Sequence, residues 1–104
     1  MSEPLYEKVI SENEDKNSQL RLVVNEFRDV QYLHLRKYYQ DYEGNWTPTK
    51  EGASMPYNLA STYALLDGLI EICANEEGKH AITFHFEQRL AELQDNTYQA
   101  PGNE

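Results

Sequence analysis

Between Val30 and Gln40 the side chains alternate in character: Leu33 and Leu35 share one parity, while Tyr32, His34, Arg36 and Tyr38 share the other. A period of two sends successive side chains to opposite faces of a strand, so this stretch can bury one face and offer the other. The same rule divides Gln19 to Phe27, where Leu20, Leu22 and Val24 oppose Arg21, Val23, Asn25 and Phe27. Arg28-Asp29 is short enough to join the two as an antiparallel hairpin. The expected sheet has an apolar back and a front bearing Arg21, Phe27, Tyr32, His34, Arg36 and Tyr38. Tyr39 has the back parity but stands at the strand end, where a bulge or a projection past the sheet would expose it.

The flanking sequence adds elements to this hairpin. Leu5 to Ile10 alternates as an edge strand, and the polar run SENEDKNS after it has the composition of a loop or linker. Asp41 to Asn45 reads as a loop with Gly44 suited to positive φ. A further strand follows from about Asn45 to Ser54, placed at an edge or given an irregularity by Pro48. Ser54 or Asn58 can then cap a helix, with Pro56 in its first turn. Leu59, Tyr63, Leu66, Ile70 and Cys73 recur at steps of three and four, which predicts an amphipathic helix to about Asn75. Leu65, Leu69 and Ile72 widen its stripe, so the helix has to bury that face against other elements. Beyond a break at Asn75 to Lys79, Ile82, Phe84 and Phe86 predict a short strand near 81–86, then a helix near 87–95 and a tail without order from Asn96. The organisation expected is an N-terminal strand and polar linker over 1–18, a sheet-and-helix domain over 19–75 and an acidic C-terminal extension over 76–104. The fold class is α+β.

Charge and residue chemistry limit what such a domain can do. The net charge of −9 argues against nucleic acid at first sight, because non-specific binding is driven by cations that release phosphate counterions. Its distribution argues otherwise. Residues 1–18 hold two cations and five anions, residues 19–57 hold five of each, and residues 58–104 hold two cations and eight anions. The neutral middle is also the aromatic part: Asn25 to Ser54 contains four of the eight Tyr, the single Trp and four of the nine Lys and Arg. Aromatic rings with interleaved cations can stack bases and neutralise phosphates, so single-stranded nucleic acid is the first ligand implied. The single cysteine, Cys73, has no partner for an intrachain disulfide and reads as a small buried hydrophobe. His34, His80 and His85 show no metal-ligand spacing. No Gly-rich phosphate loop, HExxH or nucleophile with a base is present, so neither an enzyme nor a cofactor is expected. No membrane span or signal peptide is expected, which suggests a cytoplasmic protein in a bacterial or phage-infected cell, or a nuclear one in a eukaryote.

Phe27 to Ser54 resembles the transcriptional positive cofactor 4 family of single-stranded-DNA-binding coactivators. The matching features are Phe27-Arg28, the Leu-x-Leu-Arg-x-Tyr-aromatic run ending at Tyr39, the Asp-x-Glu-Gly turn from Asp41 to Gly44, and Pro48, Lys50, Gly52 and Ser54 in a Pro-x-basic-x-Gly-x-Ser pattern. They align without a gap, and the likeness extends loosely over Leu20 to Cys73. The resemblance implies a curved four-stranded antiparallel sheet followed by a helix through which two chains dimerise. Tyr63, Leu66, Ile70 and Cys73 would then lie at the dimer interface. It makes Phe27 and Tyr39 a stacking ridge and Arg28, Arg36 and Lys50 phosphate contacts. Arg21, from its front parity, and Trp46, as an added stacking surface, complete the expected DNA-binding set. Val30, Thr47 and Glu51 stand where the family would carry lysines, and Asn25 where it would carry Arg. This chain should therefore lean more on stacking than on charge.

The lack of a Lys- and Ser-rich regulatory region points to a bacterial or bacteriophage member acting in replication or recombination, or in transcription. The acidic flanks have three readings: they recruit replication, recombination or transcription proteins, they compete with DNA for the sheet's cations, or they confer solubility alone. The competing expectation is an acidic protein-interaction module on the same scaffold, recruiting such factors without binding DNA.

Overall fold

Four strands, β1 (Tyr6–Asn13), β2 (Ser18–Phe27), β3 (Val30–Gln40) and β4 (Trp46–Pro56), form one antiparallel sheet in the order β1-β2-β3-β4. Two helices follow, α1 (Leu59–Cys73) and α2 (Gly78–Leu93). The structure is a computed structural model and describes residues 3–74 and 78–93. The chain divides into two compact units, residues 1–57 with the sheet and residues 58–104 with the helices. The α+β class and four-stranded antiparallel sheet are as the sequence predicts.

Each connection has a local cause. Between β1 and β2, a 3-10 turn over Glu14–Lys16 ends at Asn17, whose φ of 48° is left-handed. Arg28 and Asp29 join β2 to β3 with φ of 53° and 66°, the two positive values of a type I′ turn, whose twist suits a hairpin. Between β3 and β4, Asp41 Oδ1 accepts from the backbone N–H of Glu43 and Asn45, both at 2.9 Å, and Gly44 supplies the φ of 86° that closes the loop.

Both edge strands are irregular. In β1 the register shifts between Val9 and Ser11, which leaves Ile10 as a bulge. In β4, Arg36 pairs with Gly52 and Tyr38 with Pro48, so Thr49, Lys50 and Glu51 all stand against Lys37. The Thr49 hydroxyl donates to the Lys37 carbonyl at 2.8 Å and accepts from Glu51 N–H at 3.1 Å, holding the bulge. The bulge closes at Gly52, where φ is 145° and a Cβ would run into the Leu35 carbonyl oxygen and the Arg36 Cα. Only glycine fits there.

Burial follows from a sheet of one layer. Among the described residues the buried apolar ones are Val23, Val24, Leu33 and Tyr38, all on the two central strands, and no side chain is fully enclosed. They divide between the two faces: Val24 and Leu33 on the back, Val23 and Tyr38 on the front with His34. The expectation that the back parity alone forms the core is thus corrected, since Leu20 and Leu22 are half-buried and Leu35 is exposed. In α1, Asn58 is the N-cap and accepts from Ser61 N–H at 2.7 Å. Leu59, Tyr63, Leu66 and Ile70 share one stripe and are all exposed.

Other expectations require correction. β1 continues through Asn13, because backbone pairing with β2 overrides the polar composition of Ser11 to Asn13. Pro56 ends β4 and is not in the first turn of α1, having Tyr32 as its cross-strand partner. The strand expected near 81–86 is helical: Gly78–Leu93 is one helix, in which Phe86 and Leu90 follow the helical spacing and Ile82 and Phe84 do not mark a strand. Gly78 and Lys79 therefore open a helix, while 75–77 and the tail from Asn96 lie outside the described residues. Cys73 is exposed, not buried, among the described residues.

Gly52→Ala should lower the unfolding free energy by about 2 kcal/mol or more, because the substitution sets a positive-φ conflict against a backbone clash. Urea denaturation followed by circular dichroism would check this.

Candidate nucleic-acid interface

The register of the hairpin places the front residues. Arg21 pairs with Arg36, Val23 with His34, Asn25 with Tyr32 and Phe27 with Val30. The front thus carries Arg21, Val23, Asn25 and Phe27 from β2, Tyr32, His34, Arg36 and Tyr38 from β3, and Trp46 and Pro48 from the start of β4. Two guanidinium groups directly opposite each other repel, so each needs its own compensation.

The two arginines are compensated differently. Arg21 forms an ion pair with Glu7 of β1 at 3.2 Å and donates through Nε to Gln19 Oε1 at 2.8 Å. Its guanidinium carbon lies 4.3 Å from the centre of the Tyr38 ring and 5.7 Å from that of Trp46, a cation–π arrangement on two rings. Burial and Glu7 push the Tyr38 hydroxyl above its ordinary pKa, with Arg21 opposing them. Arg36 has no carboxylate partner among the described residues. It donates to the Thr49 carbonyl of the bulge at 3.0 Å and to His34 Nδ1 at 3.2 Å.

His34 completes a chain of fixed polarity. Because Nδ1 accepts from Arg36, Nε2 carries the proton and donates to Asn25 Oδ1 at 2.8 Å. Burial first and the Arg36 charge second lower the His34 pKa below its ordinary 6.5, so the ring is held neutral.

The other predicted residues lie around this centre. Phe27 is 59% exposed at the front end of β2, and Arg28 in the turn lies 5.0 Å over its ring. Arg28 occupies a left-handed position that Asn, Asp or Gly would take with less strain. Lys50 is exposed in the β4 bulge. Among the described residues, no carboxylate pairs with Arg28, Arg36 or Lys50, whereas Lys37 is neutralised by Glu51 at 3.2 Å.

Tyr39 is exposed, but on the back parity, and at the opposite end of the hairpin from Phe27: Ser18 pairs with Tyr39, and Phe27 pairs with Val30. At ordinary strand rise that is a separation of about 30 Å. The two rings therefore do not form one stack on one face. Around Phe27 the front contains a depression of about 300 Å³ lined by Asn25, Phe27, Tyr32, His34, Pro48 and Ser54 among others. Asn25 and Ser54 are not among the residues that the sequence alone marks for the site, although a two-residue turn sets Asn25 opposite Tyr32 and diagonal to His34.

The sequence forms an open antiparallel sheet that carries Tyr32, Tyr38, Phe27 and Arg36 on one face and is followed by two helices. The family model described as Transcriptional Coactivator p15 (PC4) matches residues 15–62. A solved structure, the bacteriophage T5 homologue of the eukaryotic transcription coactivator PC4, implicated in recombination-dependent DNA replication, is similar with a TM-score of 0.62 and 30% identity. That match covers 86% of this chain and 94% of the phage chain. No curated protein sequence matches this one. The chain belongs to the transcriptional coactivator p15 (PC4) family, as the residues from Phe27 to Ser54 suggest.

The His34 geometry predicts a pH dependence. A group whose folded-state pKa is lowered supports the fold above its unfolded value, and that contribution is lost as pH falls through the folded value. Stability should therefore fall as pH drops below about 6.5. His34→Gln should flatten this part of the profile, which thermal melts across the range would reveal.

Proposed function

We propose that the protein is a homodimeric, non-enzymatic single-stranded-DNA-binding protein of low sequence specificity that shields or remodels separated strands in replication, recombination or transcription. The observation that carries this reading is an exposed Phe27 at the front of the sheet with the Arg28 guanidinium over its ring, together with Arg28, Arg36 and Lys50 that have no carboxylate partner among the described residues. Rings of this kind stack on any base, and the unpaired cations meet phosphates. Membership of the family and the likeness to a phage protein implicated in recombination-dependent DNA replication support it.

Within this reading Phe27 and Tyr39 stack bases at opposite ends and faces of the hairpin, so the strand passes around the sheet between them. Arg28, Arg36 and Lys50 contact phosphates, and Trp46 with Arg21 forms a third aromatic surface. Dimerisation uses α1 through Tyr63, Leu66, Ile70 and Cys73, whose exposure in a single chain leaves an apolar stripe for a partner copy. The acidic flanks contact replication, recombination or transcription proteins, and the protein works in the cytoplasm of a bacterial or phage-infected cell.

Phe27→Ala and Tyr39→Ala should each weaken binding of a fluorescent oligonucleotide by about 1–3 kcal/mol without loss of the folded dimer. Unchanged affinity in both would remove the stacking assignment. Arg28→Ala and Lys50→Ala should each reduce the slope of log affinity against log salt by about 0.7, the increment for one single-strand phosphate contact. Leu66→Glu should convert the dimer to monomers in sedimentation equilibrium, since it places a charge in the α1 stripe.

A further inference from the structure

The depression beside Phe27 has a polarity of its own. Phe27 and Tyr32 give it apolar walls at one end, Tyr38 and Pro48 at the other, and Asn25, His34 and Ser54 supply polar groups nearer Phe27. Its volume of about 300 Å³ is ample for one nucleobase, purine or pyrimidine. Two of its fixed acceptors are already used inside the protein. His34 Nδ1 accepts from Arg36 at 3.2 Å, and Asn25 Oδ1 accepts from His34 Nε2 at 2.8 Å.

The His34 bond fixes which way the Asn25 amide points. Reversing it would set the Asn25 N–H groups against the proton on His34 Nε2, so Asn25 offers donors to a ligand. Among the described residues no other bond engages the Asn25 side chain. Arg36, also at the lining, is a donor in every state. Glu26 reaches the lining from the opposite parity of β2.

A base entering from the sugar-phosphate chain leads with the group furthest from the sugar. Between the two pyrimidines that group is a keto oxygen in thymine and an amino group in cytosine. A keto oxygen can accept from the Asn25 N–H, whereas an amino group in the same place would face donor with donor and forgo that bond.

We propose that this depression is a base-selective subsite that takes thymine in preference to cytosine from a single strand, with Asn25 as the specificity-determining residue. It rests on the single-strand reading above and adds one selective position to a surface that is otherwise tolerant of sequence. His34 and Arg36 act as positioning residues, holding the Asn25 amide in its donor orientation.

Competition anisotropy with oligo(dT) and oligo(dC) of equal length tests this, because the two bases are alike in size and differ at that distal group; they differ also at N3 and the C5-methyl, contributions that the Asn25 variants separate. The wild-type protein should prefer oligo(dT) by about tenfold, the equivalent of one net hydrogen bond. In Asn25→Ala the ratio should approach one. In Asn25→Asp, which keeps the shape but replaces donor by acceptor, the ratio should shift towards oligo(dC), although the added charge weakens both. Ratios cancel general losses of affinity, and Asn25→Asp serves if Asn25→Ala does not fold. Equal affinities in the wild type, or a preference that neither variant alters, would overturn the subsite while leaving single-strand binding intact. No binding to either oligonucleotide would overturn the single-strand reading and the subsite with it.

Discussion

Because β2 and β3 are antiparallel and joined by only two residues, Arg21 faces Arg36, Val23 faces His34 and Asn25 faces Tyr32. A slip of one residue would send every one of these side chains to the other face. The front of the sheet therefore depends on the Arg28-Asp29 turn, whose two left-handed residues suit the hairpin twist at some cost in strain. On this register Arg36 reaches the carbonyl that the β4 bulge turns out at Thr49, and the bulge itself exists because Gly52 can adopt a φ of 145°. The hairpin and the bulge together hold the Arg36–His34–Asn25 chain.

The same geometry accounts for how an acidic chain can carry a cationic face. Glu7 and Glu51 neutralise Arg21 and Lys37, so these cations contribute less to phosphate binding than their number suggests. Glu51 stands where the family resemblance would place a lysine, which both removes one cation and cancels another. Among the described residues Arg28, Arg36 and Lys50 keep unpaired charge, and Arg28 lies over the Phe27 ring. A face of this kind draws more of its affinity from stacking, which is less sensitive to salt than phosphate contact is.

Much of the sheet was legible in the sequence. The bounds of β3, the two-residue turn, the positive φ of Gly44 and the edge position of β4 all follow from parity, Gly and Pro. The continuation of β1 through Asn13 was not, because strand pairing there comes from backbone hydrogen bonds and not from side-chain composition. α2 was obscured by Ile82, Phe84 and Phe86, where a period of two overlaps the helical spacing of Phe86 and Leu90. At the site, parity identified the front residues and the two-residue turn their pairing across β2 and β3, but not their hydrogen bonds. The Glu7–Arg21 ion pair joins residues far apart in sequence, and the placement of Tyr39 away from Phe27 emerges only once the register is fixed.

The central claim concerns preference for a single strand, which a stacking face confers because paired bases do not expose their rings. The most direct measurement is an anisotropy titration of the wild-type protein with a single-stranded oligonucleotide and with the duplex of the same sequence, at low and at moderate salt. Tight binding to the single strand and weak binding to the duplex, with only a shallow loss at the higher salt, is expected. Equal binding to both forms, or no binding to either at low salt, would contradict the proposal, and the second result would favour an acidic protein-interaction module on the same sheet.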